Sequence, residues 1–163
     1  MKQDRIFDGL SQRCQLKIYQ NDDPRGLIRL HIMQDDLRHL AVQPPLSCLD
    51  AGAGLGQMTR WLAGQGHSVV MLEPSADMLA AAVMSEHATH HGQIIREQAT
   101  IQTYCQQSPQ AAFDLILCHA VLEWLAQPRE TLTQLCSLLK PGGWLSLMFF
   151  NRNSKIMRHL LGG

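Results

Sequence analysis

The chain has 163 residues, a length that predicts a single domain with one hydrophobic core. Hydrophobic residues make up 45% of the sequence and charged residues 17%, and 14 basic side chains balance 14 acidic ones. A net charge of zero argues against a freestanding nucleic-acid-binding protein, because such proteins usually carry an excess of positive charge that neutralises phosphates.

Apolar runs and helical repeats alternate along the chain. In chain order the sequence predicts a polar, loosely helical leading segment 1–24, a helix 26–40, a strand 46–51, a helix 57–64, a strand 68–73, a helix from 75 to about 90, a strand 93–97, a stretch without clear pattern, a strand 113–118, a helix 122–139 and a strand 144–150. This alternation predicts an α/β, Rossmann-like, doubly wound and mainly parallel sheet with helices on both faces. Residues 1–45 are predicted to form a helical amino-terminal cap on the Rossmann-like domain 46–163, within one compact domain.

The junction of the first strand and its helix carries the clearest functional motif. Gly52, Gly54 and Gly56 fit the pattern G-x-G-x-G, and Glu73 follows 21 positions after Gly52, at the end of the second strand. Glycines let the backbone approach a ligand closely, and an acid at the tip of the next strand can accept both hydroxyls of a ribose. The dinucleotide fingerprint needs a small residue where Gln57 stands, and the Gly-Lys-Ser/Thr of a phosphate-binding loop is absent. The motif therefore favours a nucleoside without a pyrophosphate, for which S-adenosylmethionine is the obvious candidate.

The cysteines and histidines suggest no metal or disulfide. The five cysteines are scattered without a Cys-x-x-Cys pair, so we predict neither a disulfide framework nor a zinc site. His87, His90 and His91 have helical spacing, but only Glu86 lies nearby to complete a ligand set, and we predict no metal site. The sequence has no secretion signal and no run of 18 apolar residues. These features predict a reduced, cytoplasmic protein with no membrane partner.

Four segments resemble, in order and spacing, the successive motifs of class I S-adenosylmethionine-dependent methyltransferases. They are Asp50–Gly56, Glu73–Ser75, Asp114–His119 and Leu139–Gly143. A finer similarity, to the bacterial tRNA 5-carboxymethoxyuridine methyltransferases, rests on Asp4-Arg5, Phe7-Asp8, Ile18-Tyr19, His119–Trp124, Pro128-Arg129 and Leu145–Asn151. The resemblance implies the class I fold, S-adenosylmethionine as cofactor with S-adenosylhomocysteine as product, and the tRNA anticodon as partner. It also implies the reaction, which is methylation of the carboxylate of 5-carboxymethoxyuridine at the wobble position to a methyl ester.

The same resemblance implies a set of cofactor-binding residues: Arg29, Gly52, Ala53, Gly54, Gly56, Glu73, Ala99, Thr100 and His119. Glu73, where the family has Asp, would accept the ribose hydroxyls, and Arg29 would meet the cofactor's carboxylate with its bidentate guanidinium. Thr100 has two interpretations, a contact to the adenine edge or a helix cap. His119 would lie nearest the methyl-transfer centre.

No residue is predicted with certainty to be catalytic. Methyl transfer from a sulfonium is a direct displacement, and a carboxylate with a pKa near ~4 is already ionised at neutral pH, so positioning suffices without a general base. Cys118 lacks the preceding proline of pyrimidine C5 enzymes that use a thiolate. Two alternatives stay open: a small-molecule methyltransferase, favoured by the neutral charge, and a cofactor-binding fragment that is inactive without a missing carboxyl-terminal half.

The family continues well beyond the position of residue 163, so we expect a carboxyl-terminal portion to be missing and the sheet to have an incomplete carboxyl-terminal edge. The strand 144–150 would then expose unpaired backbone groups. We expect that edge to be covered, either by residues 151–163 folding across it or, as we prefer, by a homodimer that forms through it. Residues 151–163 carry basic side chains and no acid. They predict either a solvated helix face or a phosphate-facing patch.

Overall fold

The computed structural model describes residues 3–6, 9, 24–41, 45–84, 92–151, 153, 156 and 160. In chain order the elements are α1 (Pro24–Ala41), β1 (Ser47–Ala51), α2 (Gln57–Gly64), β2 (Ser68–Leu72), α3 (Ala76–Met84), β3 (Ile94–Glu97), α4 (Ile101–Gln107), β4 (Phe113–His119), a single 3-10 turn (Leu122–Trp124), α5 (Pro128–Ser137) and β5 (Leu139–Met148). None of the described helices is both long and apolar enough to cross a membrane.

The five described strands form one parallel sheet in the order β3-β2-β1-β4-β5. The order reverses between β1 and β4, because the chain runs outward from β1 to β3 and then crosses back to β4. Connections leave β1 and β4 in opposite directions, which opens a crevice at the carboxyl ends of these two strands. The predicted Rossmann-like, doubly wound sheet is confirmed.

Helices cover both faces of the sheet because the central strands are apolar on both sides. Leu115 and Leu117 of β4 pack with Leu37 of α1 and Leu62 of α2. The alternate residue Ile116 packs on the other face with α4 and α5, through side chains that include Ile101 and Leu135. A strand buried on both faces reads as a continuous apolar run instead of an alternating one, which is why β4 was predictable.

Three element predictions differ from the structure. The predicted helix 122–139 is wrong as one helix. It is instead a 3-10 turn followed by α5, which begins at Pro128, a residue without an N–H and with a backbone suited to a first helical turn. The stretch without pattern contains the short helix α4. Finally β5 begins at Leu139, five residues before the prediction, because Phe113 pairs with Leu139 and the register then shifts by a bulge so that Leu115 pairs with Trp144.

Other expectations fall outside the described residues. They concern most of the leading segment 1–24, the end of the helix predicted up to residue 90, Cys14 and most of the tail 151–163. The other four cysteines are free, and Cys48 and Cys118 are buried as small hydrophobic side chains.

Candidate nucleoside-binding site

The glycine turn is tied to the neighbouring strand by its own backbone. The N–H groups of Gly52 and Ala53 both donate to the carbonyl of Leu72, at 2.8 and 3.0 Å. Gly52, Gly54 and Gly56 have φ angles of 78°, 57° and 70°, in the left-handed region that favours glycine. A Cβ on Gly52 would also lie 2.5 Å from Cγ2 of Val121. The turn therefore requires glycine at position 52 for both its conformation and its close packing.

Glu73 is buried and organises the turn. Only 6% of the residue is exposed, and its Oε2 accepts a hydrogen bond from the N–H of Gly54 at 2.9 Å while its Oε1 accepts one from the N–H of Ser75 at 3.0 Å. A carboxylate can accept several hydrogen bonds, and Glu73 also lines a cavity. Glu73 thus holds the glycine loop to the end of β2 and lies at the wall of that cavity.

A cavity of about 210 Å³ opens beside Glu73. Six of the nine predicted cofactor residues line it: Arg29, Gly52, Gly54, Glu73, Thr100 and His119. Ala53 lines a smaller adjoining pocket of about 50 Å³, which Arg29, Gly52 and His119 share. Gly56 instead forms the amino-terminal cap of α2, and Ala99 packs against the hydrophobic core. The structure therefore brings seven of the nine predicted residues to one cavity system.

Thr100 caps α4. Its Oγ1 accepts a hydrogen bond from the N–H of Thr103 at 3.2 Å, so the cap interpretation is confirmed. Because Thr100 and Ile101 also line the cavity, the amino-terminal turn of α4 forms part of its wall. A contact between Thr100 and an adenine edge stays a prediction.

His119 is a neutral imidazole at physiological pH. Burial, together with the positive charge of Arg29, lowers its pKa to about 4. Its Nε2 lies 2.9 Å from Oγ of Ser146 on β5, whereas its buried Nδ1 has no hydrogen-bonding partner within the described part of the chain. The unfolded His119 would bind protons more readily, so its contribution to stability is present above pH 6.5 and is lost as the pH falls towards 4.

Asp50 is a site residue that sequence reasoning missed. It is 4% exposed, its Oδ2 accepts a hydrogen bond from Oγ1 of Thr59 at 2.6 Å, and it lines the smaller pocket. Burial raises its pKa to about 6, against the opposing effect of Thr59 and with a smaller contribution from the charge of Glu73. Protonated Asp50 therefore contributes stability that is complete below pH 4 and is lost as the pH rises through 6. The available signal was an acid one residue before the end of β1, just ahead of the glycine turn.

The amino-terminal strap, residues 3–6, forms one wall of the cavity and was also missed. Asp4, Arg5 and Ile6 line the cavity. The carboxylate of Asp4 accepts hydrogen bonds from the N–H of Ala126 and from Nε2 of Gln102, the latter at 2.9 Å. The N–H of Arg5 donates to the carbonyl of Trp124 at 3.0 Å. The strap is thus fastened at both α4 and the loop before α5.

Cys118 does not suit thiolate chemistry, and the described residues contain no cluster of metal-ligating side chains. Cys118 is fully buried, and this burial, with the charges of Asp50 and Glu123, raises the pKa of its thiol to about 12. No group of three His, Cys, Asp or Glu side chains in the described ranges could hold a metal ion. The histidines at 87, 90 and 91 lie outside those ranges.

Comparison with known proteins assigns this chain to a family. A family model described as a methyltransferase domain matches residues 25–162. The tRNA 5-carboxymethoxyuridine methyltransferase of Escherichia coli K12 is 39% identical over 167 aligned positions, which cover 99% of this chain and 62% of the relative. A malonyl-[acyl-carrier protein] O-methyltransferase of Paenibacillus is 29% identical over 78% of this chain and 46% of its own length. The chain thus spans less than two thirds of these curated relatives.

Among solved structures, magnesium protoporphyrin IX methyltransferase from Synechocystis, determined with bound S-adenosylmethionine, superposes with a TM-score of 0.72. The match covers 96% of this chain and 80% of that one, at 20% sequence identity. At this identity the likeness establishes the fold alone, which is the class I methyltransferase fold that the sequence predicted.

Proposed function

Because the chain belongs to the methyltransferase domain family, we propose that it transfers the methyl group of S-adenosylmethionine to the carboxylate of 5-carboxymethoxyuridine at the wobble position of tRNA. The observation that carries the cofactor assignment is the buried Glu73 carboxylate, which holds the glycine loop and lines the cavity. The substrate assignment is supported by 39% identity, over nearly the whole chain, to the E. coli enzyme of that name.

The residues of the cavity fit the parts of S-adenosylmethionine. Glu73 would accept the ribose hydroxyls, and the apolar side chains of Ile101, Val121 and Leu125 would flank the adenine. Arg29 would meet the cofactor's carboxylate in a charge-assisted, bidentate contact. Gly52 and Ala53 would let the methionine portion lie close to the backbone.

The chain's task in this reaction is to position the reactants and exclude water. Bound S-adenosylmethionine would supply a methyl group on a positively charged sulfur, which an ionised carboxylate can displace directly. No general base is needed, since the acceptor has an ordinary pKa near ~4. A neutral His119 suits this chemistry, because it adds no second positive charge next to a sulfonium. The strap would limit the access of water to the reacting atoms.

Calorimetry with S-adenosylmethionine and S-adenosylhomocysteine tests the cofactor assignment. We expect both to bind with one site per chain, whereas adenosine triphosphate, which carries a polyphosphate that this turn cannot cradle, should not bind. Absence of binding by both sulfur compounds would remove the cofactor assignment.

Mass spectrometry of anticodon nucleosides tests the substrate. Cells that lack the gene should accumulate the free acid, 5-carboxymethoxyuridine, and should lose its methyl ester. Complementation with the full gene should restore the ester, and complementation with a Glu73→Ala variant should not. An unchanged level of the ester in the deletion strain would refute the tRNA assignment while leaving the cofactor assignment intact.

The second candidate is a methyltransferase that acts on a small molecule. The zero net charge and the 29% identity to the malonyl-[acyl-carrier protein] enzyme favour it. The same nucleoside measurement separates the two, because a small-molecule enzyme would leave the wobble nucleosides unchanged. The tRNA proposal also implies a cytoplasmic protein, since its substrate is a tRNA.

A homodimer through β5 is a further proposal about partners. Within the described residues no strand pairs with the outer edge of β5, and Trp144 and Leu147 on this strand are 55% and 38% exposed. An apolar edge strand favours pairing with another strand. Light scattering should give a dimer that Leu147→Lys dissociates, and Ile95→Lys on the opposite edge strand β3 should leave it intact. A monomeric parent chain would refute this proposal.

A further inference from the structure

The side chain of Gln102, in the first turn of α4, joins this helix to the strap and to α5. Its Nε2 donates one hydrogen bond to Oδ2 of Asp4 in the strap, at 2.9 Å, and another to Oγ1 of Thr131 on α5, at 3.1 Å. Gln102 also lines the nucleoside cavity, directly after Ile101, whose side chain would flank the adenine. The amide of Gln102 therefore lies beside the position proposed for the base.

The two partners of Gln102 determine which way its amide faces. The hydroxyl of Thr131 donates its own proton to the carbonyl of Gln127, at 3.1 Å, so it acts as an acceptor towards Gln102. A carboxylate such as that of Asp4 has no proton to donate. If the amide were turned over, its oxygen would face two acceptors and its two N–H groups would lose their partners. These contacts thus fix the amide nitrogen towards the strap and α5.

The fixed orientation leaves the amide oxygen for a ligand. Both N–H groups of Gln102 are engaged, and its Oε1 has no hydrogen-bonding partner in the part of the chain that the structure describes. An amide oxygen accepts from an N–H group and repels another oxygen. The purine edge carries an amino group in adenine and a carbonyl oxygen in hypoxanthine, so an acceptor fixed at this edge distinguishes the two bases.

We propose that Gln102 selects an amino purine over a keto purine, because its Oε1 accepts a hydrogen bond from the exocyclic amine of the bound adenine, and that Asp4 sets this preference by holding the amide in its orientation. The inference rests on the proposed function, which places the adenine next to Ile101. Gln102 is then a specificity-determining residue and Asp4 a positioning residue. Since one carboxylate both fastens the strap and orients the amide, the strap must be docked before the base is distinguished, and a bound adenine stabilises the docked strap in return.

S-adenosylhomocysteine and its deaminated analogue S-inosylhomocysteine test this selectivity, because they differ only in the purine. In calorimetry the parent chain should bind the adenine compound about tenfold or more tightly, since the analogue places a carbonyl oxygen against Oε1. Gln102→Leu removes the acceptor and should reduce the preference to roughly twofold or less. Gln106→Leu, at an exposed glutamine of the same helix, is the matched control and should keep the full preference.

Asp4→Asn separates the orientation of the amide from the packing of the strap. Asparagine keeps an oxygen for the N–H of Ala126, but it can offer an amide N–H where the carboxylate oxygen contacts Gln102. The amide of Gln102 can then turn over and direct its N–H groups to the ligand, where they suit a keto purine. We expect this variant to bind S-inosylhomocysteine more tightly than the parent does, a gain that a loosened strap alone would not produce. Asp35→Asn, at an exposed aspartate of α1, should leave both dissociation constants unchanged.

The results that would overturn the inference differ from those that would overturn the proposed function. If S-adenosylhomocysteine binds but the parent does not prefer it to S-inosylhomocysteine, or if Asp4→Asn keeps the full preference for adenine, Gln102 and Asp4 do not select the base and the cofactor assignment stands. If neither compound binds, the proposed function has failed, and the role of Gln102 fails with it. Thermal unfolding of each variant verifies that it folds, and Asp4→Asn decides the question should Gln102→Leu not fold.

Discussion

Replacing Glu73 with glutamine should damage both the glycine loop and cofactor binding, for separable reasons. The carboxylate accepts backbone hydrogen bonds of 2.9 and 3.0 Å from Gly54 and Ser75. Glutamine keeps the shape but has one acceptor oxygen, so its amide nitrogen must face one of these N–H groups. Loss of a hydrogen bond to a buried charged group costs about 1–3 kcal/mol. For a chain of this length that loss corresponds to a fall in melting temperature of roughly 2–12 °C.

Binding should weaken by about 10- to 100-fold, because each 1.4 kcal/mol is a factor of ten in the dissociation constant. A double-mutant cycle isolates the ribose contact from the loop effect. The parent should bind S-adenosylhomocysteine more tightly than its 2′-deoxy analogue, and Glu73→Gln should bind the two nearly equally.

Glu97→Gln is the matched control, because Glu97 is an exposed glutamate at the end of the adjacent strand β3. It should leave the melting temperature and the dissociation constant unchanged. If the parent does not distinguish the deoxy analogue, or if Glu73→Gln retains the full discrimination, Glu73 does not bind the ribose.

Three further changes test other parts of the site. Gly52→Ala should lower the unfolding free energy by about 1–3 kcal/mol in denaturant titrations, because residue 52 has a φ of 78° and an added Cβ would contact Val121. Gly142→Ala, at a φ of 80° with open space around it, should lower the unfolding free energy by less, and equal losses would refute the packing argument. Asp50→Asn should raise the melting temperature of the ligand-free protein at pH 7.5, because burial raises the pKa of Asp50 to about 6 and the ionised carboxylate destabilises the fold at higher pH. The gain should shrink towards pH 4, where Asp50 is protonated, and a gain that does not vary with pH would contradict this reasoning. Asp4→Ala should weaken S-adenosylhomocysteine binding by about tenfold, mainly through faster dissociation in stopped-flow measurements, because the substitution releases the strap. Asp35→Ala, at an exposed aspartate, should leave the dissociation rate unchanged, and equal dissociation rates in the two variants would refute the strap's role.

The elements that could be predicted from sequence are those whose signal is local. Strand β4 contains the apolar run 115–118, and the left-handed turn after β1 is marked by its glycines. The helix predicted to start at residue 75 is capped there, since Oγ of Ser75 accepts a hydrogen bond from the N–H of Met78 at 3.2 Å. The short α4 was overlooked, although Thr100 at its cap and the spacing of Ile101, Tyr104 and Cys105 are helical.

The parts of the site that escaped prediction depend on contacts between distant residues. The carboxylate of Asp4 binds groups 98 and 122 residues away in sequence, and no periodicity encodes such a pairing. The hydrogen bonds by which Glu73 holds the glycine loop could not be predicted either. The sequence shows a glutamate at the end of a strand, but it does not show whether the carboxylate oxygens contact a ligand or the backbone. The ribose assignment of Glu73 stays a prediction, with its structural role now added.

The strap also has a consequence for the order in which the protein folds during synthesis. Residues 3–6 leave the ribosome well before Gln102 and Ala126, to which Asp4 is fastened. At synthesis rates of about 5–20 residues per second, the strap waits several seconds before its partners exist. Contacts of such high sequence separation form late because of their loop-closure entropy. The nascent chain can therefore assemble β1, α2 and β2 before the strap docks, and the wall that the strap adds to the cavity forms only after α4 and the loop before α5 are in place.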